Sequence, residues 1–132
     1  MAETGEGIVY IVDDDDPVRD SLRALLEAFS FEVRDFPSCA GFMEQYDGNP
    51  DGCMLLDLHQ PVMSGLDFME RFGSRLSGMP VIMISGRADS ATVARAKELG
   101  ITAFLEKPFE DDQLLELIAR VLPPSAAASA HM

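Results

Sequence analysis

The chain has 132 residues, 47% of them hydrophobic, and 23 acidic residues against 10 basic ones leave a formal net charge of −13. This size and apolar content suit one domain with its own core, and no apolar run approaches the ~20 residues of a membrane helix. So acidic a surface repels a phosphate backbone, which argues against direct nucleic-acid binding by the domain.

The N-terminal Met1–Gly7 is acidic and lacks the basic and apolar regions of a secretion signal, so a cytoplasmic location is expected. The apolar run Ile8–Val12 reads as a strand that ends on Asp13 and Asp14. Asp16-Pro17 supplies an N-cap and an N1 proline. Val18, Leu22, Leu25, Leu26 and Phe29 recur at helical spacing, which predicts a helix over about Pro17–Ser30. Glu32–Phe36 is a short second strand, Ser38 caps a second helix to about Tyr46, and Asn49–Gly52 is a turn. Cys53–Asp57 is a third strand, stopping on one carboxylate before a loop with Pro61 and Gly65. A third helix follows over Gly65–Ser77, a fourth strand over Pro80–Ser85, and a fourth helix over Ser90–Leu99 that Gly100 ends. The fifth strand, Thr102–Glu106, runs into Lys107-Pro108, a turn open to a cis peptide. The last helix spans Glu110–Leu122, with Leu114, Leu117, Ile118 and Val121 inward, and Pro123-Pro124 stops it. Residues 1–122 read as the domain, and 123–132 as a flexible tail, a linker stub or a cloning scar. Cys39 and Cys53 show no metal-ligand spacing and read as buried thiols.

Strands alternating with helices imply an α/β fold, a parallel sheet covered on both faces. With right-handed crossovers the common small solution is the flavodoxin-like (βα)5 three-layer sandwich, strand order 2-1-3-4-5. That order makes the first and third strands neighbours and brings Asp13, Asp14 and Asp57 to one sheet edge. Three carboxylates suit a hard cation such as magnesium, whereas Asp15 and Asp16 fit a turn and helix cap. Asp57, already ionised at neutral pH, is a candidate nucleophile towards phosphorus; taken alone it is equally a loop cap. Lys107 offers an ammonium to phosphoryl oxygens, or is an ordinary surface lysine. The Ser85 hydroxyl and Gly86 N–H are further donors, and Phe104 by pattern fills the core. A magnesium-dependent phosphatase is less favoured, because His59 stands where such enzymes carry a second acid. Flavin binding is less favoured too, since acids rather than a Gly/Ser/Thr phosphate loop follow the first strand. An interaction module that keeps the fold without phosphorylation has no need of the full polar set.

Ile11-Val-Asp-Asp14, Leu56-Asp-Leu58 with Pro61 and Met63-Ser-Gly65, Ile84-Ser-Gly86 and Phe104-Leu-Glu-Lys-Pro-Phe109 occur in this order over nearly the whole chain. Together they resemble the receiver domain of bacterial two-component response regulators. Val12–Arg19 and Glu106–Glu110 are most similar to the FixJ-like branch, whose members usually carry a C-terminal DNA-binding domain. The resemblance implies a phosphorylation switch rather than a turnover enzyme, with Asp57 as phosphoacceptor. It implies magnesium (Mg2+, with Mn2+ as a substitute) on Asp14, Asp57 and the His59 backbone carbonyl, and on Asp13 through water. Ser85, Gly86 and Lys107 would hold the phosphoryl oxygens, Ser85 and Phe104 would form the switch pair, and His59 and Arg87 would tune phosphoryl lifetime. The implied donor is a sensor histidine kinase docking largely on the first helix. The fourth helix, fifth strand and fifth helix would change affinity for partners, including a second copy, for which the small residues Ala91, Ala94 and Ala96 offer a contact face. Gln60 stands where the family commonly has methionine.

Overall fold

Five parallel strands in the order β2-β1-β3-β4-β5 form one sheet in the protein's structure, a computed structural model that describes residues 7–49 and 51–122. The elements are β1 (Ile8–Val12), α1 (Asp16–Ala28), β2 (Glu32–Phe36), α2 (Cys39–Gln45), β3 (Cys53–Asp57), α3 (Gly65–Phe72), β4 (Val81–Ser85), α4 (Ser90–Glu98), β5 (Ala103–Glu106) and α5 (Asp111–Val121). This is the flavodoxin-like arrangement expected from the alternation. The expected tail, 123–132, lies outside the described residues.

The two middle strands, β3 and β4, are buried at every position, as a parallel sheet covered by helices requires. Alternate side chains divide the core into two layers. Tyr10, Val12, Met54, Leu56, Val81 and Met83 face α2, α3 and α4. Val9, Ile11, Cys53, Leu55, Ile82 and Ile84 face α1 and α5, where Leu22, Leu26, Leu114 and Ile118 meet them. Phe42 sits at the middle of an aromatic group on the first side. Its ring centroid lies 5.4–5.8 Å from those of Phe36, Tyr10 and Phe68, edge to face, and stacks on Tyr46 at 4.9 Å.

Helix starts are set by side chains that satisfy free N–H groups. Asp15, not Asp16, caps α1: its carboxylate accepts from Val18 N at 3.1 Å, so Asp16 falls inside the first turn, where its charge suits the helix start and its carboxylate accepts from Arg19. The Ser38 cap stands as read, accepting from Gly41 N. Ser64 and Asp67 cap α3 reciprocally, and Asp89 caps α4.

Three further expectations need correction. The third helix is α-helical only to Phe72; over Gly73–Leu76 it tightens to a 3-10 turn, because Gly73 and Ser74 are poor helix formers at a fraying end. Phe29, counted in the helical repeat of α1, lies outside it and is 48% exposed, because α1 ends at Ala28 and the next residue leaves the helical phase. Ala96 is fully buried in the core, so only Ala91 and Ala94 of the three alanines lie at the surface. The Lys107-Pro108 peptide is cis.

Two glycines make the edge of the sheet possible. A Cβ on Gly52, at φ +114, would stand 2.1 Å from the Ile8 carbonyl oxygen, so glycine alone lets the chain pass β1 into β3. A Cβ on Gly65 would press at 3.0 Å on the Asp57 carbonyl oxygen and at 3.1 Å on Leu58 Cα, so glycine brings the start of α3 against the end of β3.

Val62 is the outlier of that loop. It is fully exposed and β-branched, yet holds φ +69, a left-handed conformation that such residues avoid. Val62→Gly is expected to raise stability by about 1 kcal/mol, the steric relief exceeding the entropy that glycine adds to the unfolded chain. A denaturant midpoint that stays put or falls in the variant would contradict this.

Candidate functional site

The carboxyl ends of β1 and β3 are adjacent, Val12 beside Leu56 in register, so the residues that follow meet although over 40 positions separate them. Asp13, Asp14 and Asp57 each present an oxygen within 4.8 Å of the others. Asp13 and Asp57 are buried, at 3% and 6% exposure, while Asp14 faces solvent. Asp13 is fixed from three sides. Its N–H donates to Phe36 O, its side chain accepts from Asp15 N at 2.9 Å, and its carbonyl accepts from Arg19 Nη1 at 2.8 Å. Arg19 also bonds Asp16 and Asp35, tying the acidic loop to α1 and β2. Nothing in the sequence pattern singles Arg19 out.

Lys107, at the end of β5, directs Nζ to Asp57 Oδ1 at 3.4 Å, and its backbone N–H donates to Ser85 O at 2.8 Å. Burial raises the Asp57 carboxyl, Asp13 adds to the rise and Lys107 offsets part of it, which leaves it pushed up to about 6. Burial likewise raises Asp13. Two crowded acids short of water and only loosely paired with one ammonium are what a divalent cation relieves, and an all-oxygen donor set selects a hard one. The residues therefore fit magnesium.

Ser85 ends β4 beside β3 and is fully buried. Its hydroxyl donates to Arg87 O at 2.7 Å and accepts from Arg87 N at 3.0 Å. Gly86 is exposed, with Lys107 Cβ 3.9 Å from where its own Cβ would stand. The His59 ring, from the loop after β3, reaches across to the same turn. Its Nε2 lies 3.1 Å from Ser85 Oγ and 2.7 Å from Arg87 O. That contact was not legible in the sequence, where His59 stands alone in a loop. Gln60 turns its amide onto Asp57 O, donating at 2.7 Å, while its Oε1 is buried without a partner. Its polarity where the resemblance leads one to expect an apolar residue was the available signal. Phe104 pairs in register with Met83, on the sheet face that Ser85 shares, and is half-buried against the α3–α4 layer. The cysteines stay inert: burial holds the Cys39 thiol up at about 11 and that of Cys53 at about 12.

The response regulator receiver domain model matches residues 9–119. The chain belongs to that family. It is 35% identical over 126 residues to the transcriptional regulatory protein FixJ of Bradyrhizobium diazoefficiens, covering 96% of this chain and 62% of that protein. It is 34% identical over 117 residues to the response regulator protein TmoT of Ectopseudomonas mendocina, covering 89% and 53%. Among solved structures, full-length FixJ from B. japonicum matches with a TM-score of 0.80 at 35% identity, over 89% of this chain and 58% of that one. The FixJ-N structure matches with a TM-score of 0.78 at 33% identity, over all of this chain and 98% of that one. The chain is thus a FixJ-like receiver domain of two-component signalling, and it spans about half to three fifths of the curated relatives. No helix among the described residues is long and apolar enough to cross a membrane.

Proposed function

We propose that this receiver domain takes a phosphoryl group onto Asp57 from the phosphohistidine of a sensor kinase and, by carrying it, changes the affinity of its α4–β5–α5 surface for a partner. The observation that carries the proposal is the meeting of Asp13, Asp14 and Asp57 with Lys107 at one sheet edge. An Asp57 oxygen attacks phosphorus, the P–N bond breaks as the P–O bond forms, and the imidazole, already protonated on its other nitrogen, leaves as the neutral ring. Even with its carboxyl pushed up to about 6, Asp57 is mainly ionised at pH 7 and needs no base. Asp14, Asp57 and the His59 backbone carbonyl would hold magnesium, with Asp13 acting through water. The ion supplies charge neutralisation at the transferring group. Lys107, Ser85 and the Gly86 N–H would bind the phosphoryl oxygens. His59 and Arg87 would set the access of the water that later returns Asp57 and inorganic phosphate.

Ser85 and Phe104 would couple the site to the surface. The Ser85 hydroxyl turns to the phosphoryl group, and the half-buried Phe104 ring follows inward on the same face. A groove of about 640 Å³ between α1 and the β5–α5 loop supports kinase docking; Val18, Leu22, Leu25 and Phe109 line it, and Lys107 stands at its edge. Its apolar walls suit an amphipathic helix brought to the acid edge. On the opposite side Ala91 and Ala94 remain free for a second copy, and Arg95, paired with Glu70 and Glu98, flanks them. The relatives' names support transcription as the controlled output, through a partner or an output domain rather than through direct nucleic-acid binding by this domain.

Incubation with acetyl phosphate and magnesium tests the reading. The intact mass should rise by one phosphoryl group, and EDTA should abolish the rise. An unchanged mass on freshly folded protein would overturn it.

A further inference from the structure

The geometry points to the His59 imidazole as a latch that holds Ser85 in its unphosphorylated setting, a positioning role that rests on the phosphoacceptor reading of Asp57. Ser85 has one hydroxyl proton, and it goes to Arg87 O at 2.7 Å. A carbonyl oxygen only accepts, so the 2.7 Å contact from His59 Nε2 to the same oxygen places a proton on Nε2. That N–H also faces Ser85 Oγ at 3.1 Å, while Arg87 N–H occupies another side of the oxygen at 3.0 Å. The hydroxyl is therefore held by two donors and spends its own proton within its turn. It has none to offer a phosphoryl group on Asp57.

The ring joins two loops that are far apart in sequence, the one after β3 and the one after β4. Turning Ser85 towards Asp57 breaks its bonds to Arg87 and its contact with His59. A phosphoryl group compensates with charged acceptor oxygens, which take shorter and stronger hydrogen bonds than a neutral carbonyl. Without one, the His59 contacts keep the on setting of Ser85 a minor population. The apparent affinity for anything that selects the on setting falls in proportion to that population.

The test uses beryllofluoride with magnesium, as a phosphoryl mimic, on the full chain and on His59→Phe, Ser85→Ala and Ser85→Ala/His59→Phe. Amide NMR of Arg87 and Phe104 follows the titration. Phenylalanine keeps a flat ring of at least the same bulk and removes both ring nitrogens, so it separates the latch from simple access of water. A hydrogen bond of ordinary net strength corresponds to roughly three- to tenfold in an equilibrium constant. Half-saturation of His59→Phe is expected at roughly three- to tenfold lower beryllofluoride than for the parent chain, with the Arg87 amide already displaced towards its saturated position before any addition. Compared with Ser85→Ala alone, the double variant should show little further gain, since the ring then has no hydroxyl to hold. Equal or weaker binding by His59→Phe, or a gain that persists in full without Ser85, overturns the latch while leaving Asp57 as phosphoacceptor. No saturation of the parent chain overturns both.

Discussion

Asp57→Asn is expected to stabilise the magnesium-free protein at neutral pH by about 2–3 kcal/mol and to have no such effect near pH 3. The ordinary Asp carboxyl titrates near 3.8, and burial with Asp13 nearby lifts Asp57 to about 6 in the folded chain. The folded state thus binds the Asp57 proton more tightly than the unfolded state. Below the lower value the carboxyl is protonated in both states and nothing is lost. As pH rises from about 4 to about 6 the folded protein alone resists ionisation, so stability falls across that window and stays lower above it; a gap of about two units corresponds to about 3 kcal/mol at most. Asparagine removes the ionisation and keeps the shape. Asp13, raised in the same direction, gives the residual slope that remains in the variant. Magnesium should return stability to the parent chain at pH 7, because it binds the folded state alone. Urea unfolding at a series of pH values checks this. A parent chain whose stability rises between pH 4 and pH 6, or an Asp57→Asn protein less stable than the parent at pH 7, contradicts the account.

Phe42→Ala is expected to destabilise the fold by about 3–5 kcal/mol, the range for emptying an aromatic site in a packed core. The ring is fully buried and touches Tyr10 of β1, Phe36 of β2, Phe68 and Phe72 of α3 and Tyr46 after α2. No single neighbour can move into the space, since the others are fixed by strands and helices that Phe42 joins. A loss of that size is a large share of the 5–15 kcal/mol that holds a domain together. Phe42→Leu, which keeps most of the volume, should lose much less. Chemical denaturation separates the two, and equal midpoints for alanine and leucine would show that the site collapses.

The fold and the site differ in what made them legible. Buried parallel strands read as apolar runs, each ending on a polar residue, and the strand order then fixes which ends are neighbours. Asp13, Asp14, Asp57, Ser85 and Lys107 were placed in this way because backbone topology alone brings them together. Side chains that reach between loops left no such trace. The His59 contact with Ser85 depends on the packing of two loops far apart in sequence, whereas the Arg19 grip on Asp13 O and the Gln60 bond to Asp57 O are local and depend on how the chain turns after β1 and after β3. Cap positions slipped for a smaller reason. Four consecutive aspartates, Asp13–Asp16, all suit a helix start, and only the direction of the chain leaving β1 decides that Asp15 serves.

Sodium borohydride reduces an acyl phosphate to the alcohol, so it marks the carboxylate that carried phosphorus. Treatment after incubation with acetyl phosphate and magnesium, followed by peptide sequencing in the mass spectrometer, should find homoserine at position 57 and intact aspartate at 13 and 14. Reduction at Asp13 or Asp14, or an unaltered position 57 in protein that had gained a phosphoryl group, would contradict the assignment on which the mechanism is built.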